Sequence, residues 1–130
     1  MIVLDASAAV DIVLDHASAP WLLDHMAGHA MCAPAHQPVE VLSALARLRR
    51  GGNIEDAACR AALAEASGLS QQIVMPSSRH LLRALELQPS VRVTDGLYVA
   101  LAEERGCPLL TTDLRLARSV STCEVLTPTD

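Results

Sequence analysis

Residues 93–113 read VTDGLYVALAEERGCPLLTTD and predict a helix followed by a short buried strand. Thr94 is the expected N-cap of a helix over Asp95–Arg105, which a glycine ends. The apolar segment Pro108–Thr111 then predicts a strand, and Asp113 the start of a brief further helix. A helix that leads directly into a buried strand is typical of an α/β fold.

The same alternation extends over the rest of the chain. Apolar runs predict further strands at 2–5, 30–33, 72–75 and 124–126. Periodicity and capping residues predict helices at 7–15, 18–28, 38–50 and 54–67, and from Ser77 or Ser78 to Leu87. Ser7 and Asn53 are the expected N-caps of the helices that follow them. We therefore expect residues 1–130 to form one α/β domain with a central, mainly parallel sheet.

Composition favours a globular cytoplasmic protein. Hydrophobic residues make up 51% of the chain, yet no apolar run is long enough to span a membrane. No basic residue precedes the N-terminal apolar run, which Asp5 interrupts, so we expect no signal peptide and a cytoplasmic location. The four cysteines contain no C-x-x-C pair and are expected to be reduced thiols.

The charged and aromatic residues exclude several classes of function. All ten basic residues are Arg, so enzymes that need a lysine are excluded, including the phosphoaspartate enzymes that also place an Asp after their first strand. Aromatic residues are only 2% of the chain, which argues against base-stacking platforms for single strands. The net charge of −5 argues against a general nucleic-acid coat.

Two acids directly follow predicted strands. Asp5 comes after Ile-Val-Leu, and Asp113 after Leu-Leu-Thr-Thr. Because ligands of open parallel sheets bind outside the carboxyl ends of the strands, both carboxylates should lie at one sheet edge. Asp95 and Glu40 lie in the first turns of their helices, which can point toward that same edge. Tyr98 is expected to pack with its hydroxyl near this edge.

Each of these acids also has a simpler explanation. Asp95 could serve the helix dipole, Asp113 could be a cap, and Glu40 could be a solvated helix residue. Asp5 is harder to explain, because a charge at the end of a buried strand needs a partner. Converging carboxylates repel one another, and a hard divalent cation such as Mg²⁺ or Mn²⁺ relieves that repulsion. The four acids together predict metal-dependent hydrolysis of a phosphoester.

Three segments also resemble a known family. They are MIVLDASAAV at 1–10, PVEVLSALARLRRG at 38–51 and VTDGLYVALAEERGCPLLTTDLRLA at 93–117, and they cover most of the chain. The chain resembles the PIN-domain ribonucleases and, within them, VapC-type toxins of bacterial toxin–antitoxin pairs. This resemblance implies an α/β/α sandwich. It also implies that Asp5, Glu40, Asp95 and Asp113 are the catalytic residues and the ligands of Mg²⁺ or Mn²⁺.

The resemblance gives roles to two hydroxyl residues as well. Ser7 would hold a water or phosphate beside Asp5, and Thr111 would brace the loop that carries Asp113. Some family members have a further acid shortly after this last Asp, but here residues 114–116 are Leu-Arg-Leu. The resemblance therefore leaves open whether one or two metal ions bind.

The same resemblance implies endonucleolytic cleavage of RNA that leaves a 5′-phosphate and a 3′-hydroxyl. The implied partner is a VapB-type antitoxin whose C-terminal segment obstructs the acidic pocket of a toxin homodimer. Two alternatives remain open: a PIN-like module that binds RNA or a partner without hydrolysis, and a non-toxin RNA-processing nuclease.

Arginines could complement the helix ends or contact RNA phosphates and the antitoxin. Candidates are Arg47, Arg49 and Arg50 at the end of the long helix, and Arg115, Arg105 and Arg118 near the expected site edge. His36 and Glu40 are four residues apart, as are His25 and His29, but neither pair matches the zinc motif H-E-x-x-H.

Overall fold

The computed structural model describes residues 1–128, which form five strands and seven helices. The strands are β1 (Ile2–Leu4), β2 (Met31–Pro34), β3 (Gln72–Val74), β4 (Leu109–Leu110) and β5 (Val125–Leu126). The helices are α1 (Ala6–Val13), α2 (Ala19–Met26), α3 (Gln37–Arg50), α4 (Asp56–Ser67), α5 (Ser78–Leu87), α6 (Val93–Arg105) and α7 (Leu114–Ser119). Every predicted element is present in the predicted order, with its ends shifted by at most two residues.

Three predicted N-caps are wrong: Asp5, Glu55 and Arg92 hold these positions in place of Ser7, Asn53 and Thr94. None of the three observed caps accepts a side-chain hydrogen bond from its helix, so these helices lack the preferred capping contact. Ser7 instead donates its hydroxyl to Asp5. In contrast, Ser77 forms a capping box with His80, and Asp113 caps α7.

The sheet has the strand order β3-β2-β1-β4-β5, and all neighbouring strands are parallel. The chain builds β1, β2 and β3 toward one edge and then crosses over to place β4 on the other side of β1. The strand order therefore reverses between β1 and β4. In open α/β sheets this switch point, at the carboxyl ends of the strands, is where ligands bind.

Alternate residues of β1 enter two separate cores, one on each face of the sheet. Ile2 and Leu4 pack with residues of α1, α2, α3 and α4, among them the fully buried Leu22 and Leu45. Val3 faces the other way and packs with residues of α6 and α7. Because α5 lies against α6 on this second face, the predicted α/β/α sandwich is confirmed.

Cys32, Cys59, Cys107 and Cys123 are free thiols, and the first two are buried among hydrophobic side chains. Their positions agree with the expected role of small core residues. Within residues 1–128, every helix is too short or too polar to cross a membrane.

Candidate acidic site at the sheet edge

Five acidic side chains line an open cavity of about 400 Å³ at the carboxyl ends of the strands: the four predicted acids and Asp11 of α1. Asp5 follows β1 directly, and Asp113 follows β4 and begins α7. Glu40 and Asp95 come from the first turns of α3 and α6. The fold therefore brings together four acids that are spread over 109 residues of the chain.

Asp5 lies at the bottom of the cavity and is only 5% exposed. Burial raises the pKa of its carboxyl, and the nearby charge of Asp95 raises this pKa further. Two hydroxyls act in the opposite direction, because Ser7 Oγ and Thr111 Oγ1 donate to Asp5 Oδ2 at 2.6 and 2.7 Å. These bonds orient a carboxylate that burial alone would disfavour.

The same two hydroxyls tie the start of α1 to the loop between β4 and α7. Ser7 Oγ accepts a hydrogen bond from the Thr112 backbone N–H at 3.1 Å. Thr111 Oγ1, which is fully buried, accepts one from the Asp113 N–H at 3.0 Å. Thr111 thus braces the loop that carries Asp113, whereas the contact of Ser7 with a water or phosphate stays a prediction.

Glu40 is oriented by a tyrosine and a histidine. The hydroxyl of Tyr98, a fully buried side chain, donates to Glu40 Oε1 at 2.6 Å. His36 Nε2 lies 3.5 Å from the same oxygen and 2.8 Å from the backbone oxygen of Thr94. Burial raises the pKa of Glu40, while the bond from Tyr98 and the proximity of His36 lower it. The sequence placed Tyr98 near the site; for His36 the only indication was its four-residue spacing from Glu40.

Asp95 and Asp113 share one arginine. Arg115 Nη2 donates to Asp95 Oδ2 at 2.9 Å and to Asp113 Oδ2 at 3.0 Å. The bond to Asp95 and the charges of both carboxylates raise the pKa of the Arg115 guanidinium. Asp113 Oδ1 also accepts from the Leu116 N–H at 3.1 Å. Asp113 is therefore a helix cap and a wall of the cavity at once, so the two interpretations of this residue are compatible.

Only some of the candidate arginines lie at the cavity. Arg47 and Arg115 line it, and so does Arg92, which the sequence analysis missed. Arg92 immediately precedes α6, and its position three residues before Asp95 was the one indication of its location. The cavity is thus lined by guanidinium groups as well as carboxylates.

The other arginines point elsewhere. Arg49 pairs with Asp56 at 2.8 Å, which ties the end of α3 to α4, and Arg50 is exposed outside the cavity. The expectation for Arg105 is wrong, because it bonds to Gln72 at the amino end of β3, the opposite edge of the sheet. Arg118 is exposed on α7 and does not line the cavity.

The donor atoms fit a hard divalent cation in type, since the cavity offers carboxylate oxygens. In the conformation described for residues 1–128, no three His, Cys, Asp or Glu side chains are already grouped to hold a metal ion. The guanidinium of Arg115 supplies the positive charge between Asp95 and Asp113. The acids therefore suit Mg²⁺ or Mn²⁺, provided that Arg115 releases the two carboxylates.

Comparisons with known proteins place the chain in a defined group. The family model for the PIN domain matches residues 2–120. Ribonuclease VapC3 of Mycobacterium tuberculosis is 45% identical over 126 residues, which cover 91% of this chain and 86% of that protein. Ribonuclease VapC12 of the same species is 39% identical, with 92% of each chain covered.

A solved structure supports the fold. VapBC2 from Rickettsia felis, crystallised with a DNA fragment from its promoter, superposes with a TM-score of 0.72 over 99% of this chain and 100% of that one. The sequences are only 13% identical, so this likeness concerns the fold alone.

Proposed function

Because the chain belongs to the PIN domain family and is related to the VapC ribonucleases, we propose that it hydrolyses RNA in the acidic cavity with Mg²⁺ or Mn²⁺. The observation that carries this proposal is the meeting of Asp5, Glu40, Asp95 and Asp113 in one cavity at the switch point of the sheet. If these four acids had only local structural roles, nothing would require them to converge in one cavity. Residues 1–130 would act as a single PIN domain.

The proposed catalytic residues are these four acids, which would also hold the cation. A divalent ion, when bound, would lower the pKa of a water molecule and neutralise charge that develops on phosphoryl oxygens. The chain itself supplies orientation: Ser7 and Thr111 fix Asp5, and Tyr98 fixes Glu40. Such fixed geometry favours in-line attack, since the reacting groups need not be ordered during the reaction.

The walls of the cavity suit a negatively charged backbone. Arg47 and Arg92 flank the acids, and guanidinium groups pair with phosphate oxygens through parallel hydrogen bonds. Ser7 lies beside Asp5, where it could also contact a water or a phosphate. We assign RNA contacts to Arg47, Arg92 and Arg115 because all three line the cavity, whereas Arg49 and Arg50, which lie outside it, remain candidates for the antitoxin contact.

We further propose that the protein is the toxin of a type II toxin–antitoxin pair in the cytoplasm. Its relatives are named VapC ribonucleases, and a similar fold occurs in the VapBC2 structure. The partner would be a VapB-type antitoxin bound to a toxin homodimer. A basic antitoxin side chain that entered the cavity would neutralise the acids and inhibit cleavage.

Substitution of Asp5 tests the proposed activity. Asp5→Asn keeps the shape of the side chain and an acceptor for Ser7 and Thr111, but removes the charge. We expect RNA cleavage to fall by about a hundredfold or more, a loss typical of a key catalytic group. Cleavage would be followed with Mn²⁺ and by mapping new 5′ ends of RNA.

Asp24→Asn is the matched control, because Asp24 is exposed on α2 and does not line the cavity. It should cleave at the wild-type rate. EDTA should abolish cleavage by the wild type and by Asp24→Asn, and added Mn²⁺ should restore it. Full activity of Asp5→Asn, or cleavage that persists in EDTA, would contradict the proposal. Binding of RNA without any cleavage by the wild-type protein would favour the binding-module alternative.

A further inference from the structure

We propose that Arg115 is an internal competitor of the catalytic cation, which must displace its guanidinium from Asp95 and Asp113 in order to bind. This inference rests on the proposed function, because it takes these two acids as metal ligands. It adds a property that the proposed function does not contain, namely that the chain carries its own cationic occupant of the site. The metal affinity of the free protein would then be set partly by a residue that is not a metal ligand.

The contact geometry supports direct competition. A single nitrogen, Arg115 Nη2, contacts Oδ2 of both carboxylates at 2.9 and 3.0 Å. The other oxygen of Asp113, Oδ1, accepts from the backbone N–H of Leu116, which holds this carboxylate in place. A dication bound to these oxygens would face the positive guanidinium at contact distance and repel it. The two cations therefore compete for the Oδ2 atoms of this pair of acids.

The exposure of the three side chains indicates which group can move. The side chain of Arg115 is 43% exposed, whereas those of Asp95 and Asp113 are 12% and 31% exposed. The guanidinium can turn toward solvent without opening the core. Its helix would stay in place, because Leu116 is fully buried and Asp113 caps α7. The acids are thus the fixed part of the site, and Arg115 is the movable part.

The ion pairs of Arg115 with Asp95 and Asp113 are weak enough for a metal ion to replace them. Ion pairs that are partly exposed are weak, so their release lowers the affinity of a competing ligand only severalfold. Without a metal, Arg115 keeps two neighbouring carboxylates compensated. Once displaced, the same guanidinium remains at the cavity wall, where an RNA phosphate is its natural partner.

Metal titration of the RNA-free protein tests this inference. Wild type and Arg115→Gln would be titrated with MnCl₂ by calorimetry after removal of metals with EDTA. We expect the variant to bind Mn²⁺ about three- to tenfold more tightly, because the ion no longer displaces a guanidinium. Arg118→Gln is the matched control, since Arg118 is exposed on the same helix outside the cavity, and it should bind like the wild type.

Two further variants and one further measurement make the test independent of folding defects. Arg115→Ala serves as a second variant if Arg115→Gln is poorly folded, and Arg115→Lys, which keeps the charge, should stay close to the wild-type affinity. By linkage, saturating Mn²⁺ should raise the melting temperature of Arg115→Gln more than that of the wild type. None of these readouts depends on RNA cleavage.

The outcomes separate this inference from the proposed function. Equal or weaker Mn²⁺ binding by Arg115→Gln, with normal binding by the wild type, would overturn the competition and leave the metal site standing. If neither protein bound Mn²⁺, the metal dependence proposed above would fall together with the inference. Binding by the variant alone would support competition in its strongest form.

Discussion

Asp5 and Glu40 are bound by neutral hydroxyl donors, whereas Asp95 and Asp113 share the guanidinium of Arg115. Ser7 and Thr111 serve Asp5, and Tyr98 serves Glu40. A hydroxyl donor stabilises the charged form of a buried carboxylate without neutralising it. The hydroxyl bonds therefore offset part of the effect of burial on the pKa values of Asp5 and Glu40.

Removal of the Tyr98 hydroxyl should impair the site in a pH-dependent way. Tyr98→Phe deletes the 2.6 Å donor to Glu40 Oε1, so the charged form of Glu40 loses stabilisation and its pKa rises further. Glu40 would then be protonated over a wider acidic range. We expect cleavage to fall about tenfold, most strongly at acidic pH, and the acidic limb of the rate profile to move to higher pH.

The Tyr98→Phe profile would be measured at saturating Mn²⁺, beside a denaturation curve of each protein. Loss of a donor to a charged group should lower the free energy of unfolding by about 1–2 kcal/mol. A profile that is scaled down uniformly, with no shift of its acidic limb, would show that the hydroxyl does not act through Glu40. An unchanged rate would remove Tyr98 from the site altogether.

Whole elements were predictable from the sequence where local chemistry determines them. The run Leu109–Leu110 and the glycine after α6 are sufficient to predict a strand and a helix end. The caps of α1 and α6 were mispredicted, because each helix begins before the residue with the preferred capping side chain. The start of these helices is therefore set by the connection to the preceding segment and not by the capping preference of a single residue.

The assembly of the site was only partly predictable for a different reason. That Asp5 and Asp113 share a sheet edge follows from their positions after apolar strands. The contact of Arg115 with Asp95 depends on how α7 lies against α6, and the location of Arg105 depends on which end of β3 it meets. Both are properties of tertiary packing, which periodicity does not encode.

The close packing of α5 on α6 depends on Gly96. A Cβ at this position would lie 3.0 Å from Ala84 Cα and 3.1 Å from Ala84 Cβ, so the backbone of α5 would have to move. We expect Gly96→Ala to lower the free energy of unfolding by about 1–2 kcal/mol, since overpacking outweighs the gain in helix propensity. Urea denaturation measures this change. Cleavage should fall as well, because Asp95 is the preceding residue.

Gly68→Ala is the control for this substitution. Gly68 is the C-cap of α4 with a φ of −93°, and an added Cβ would come no closer than 3.6 Å to another atom. Its stability should stay within about 0.5 kcal/mol of the wild type. If Gly96→Ala were as stable as Gly68→Ala, the two helices would have room to adjust and the packing argument would be wrong.

Within residues 1–128, the fold places a buried acid, Asp5, at the end of the central strand of the sheet. Asp5 sits between two hydrophobic cores, and its raised pKa means that the folded state disfavours the ionised form. A raised pKa contributes stability that is complete below the unfolded value, about pH 4, and is lost as the pH rises. At neutral pH the site therefore weakens the fold that holds it.

Neutralisation of this charge should stabilise the protein while it abolishes cleavage. In EDTA at pH 7 we expect Asp5→Asn to unfold with a free energy higher by on the order of 1 kcal/mol, because a buried charge is replaced by a neutral amide. The difference should vanish near pH 3, where Asp5 is protonated in both states. Saturating Mn²⁺ should reverse the order, because it stabilises only the protein that binds it. Thermal melts at both pH values, with and without Mn²⁺, test these expectations. If Asp5→Asn were less stable than the wild type in EDTA at pH 7, Ser7 and Thr111 would compensate the charge of Asp5 fully.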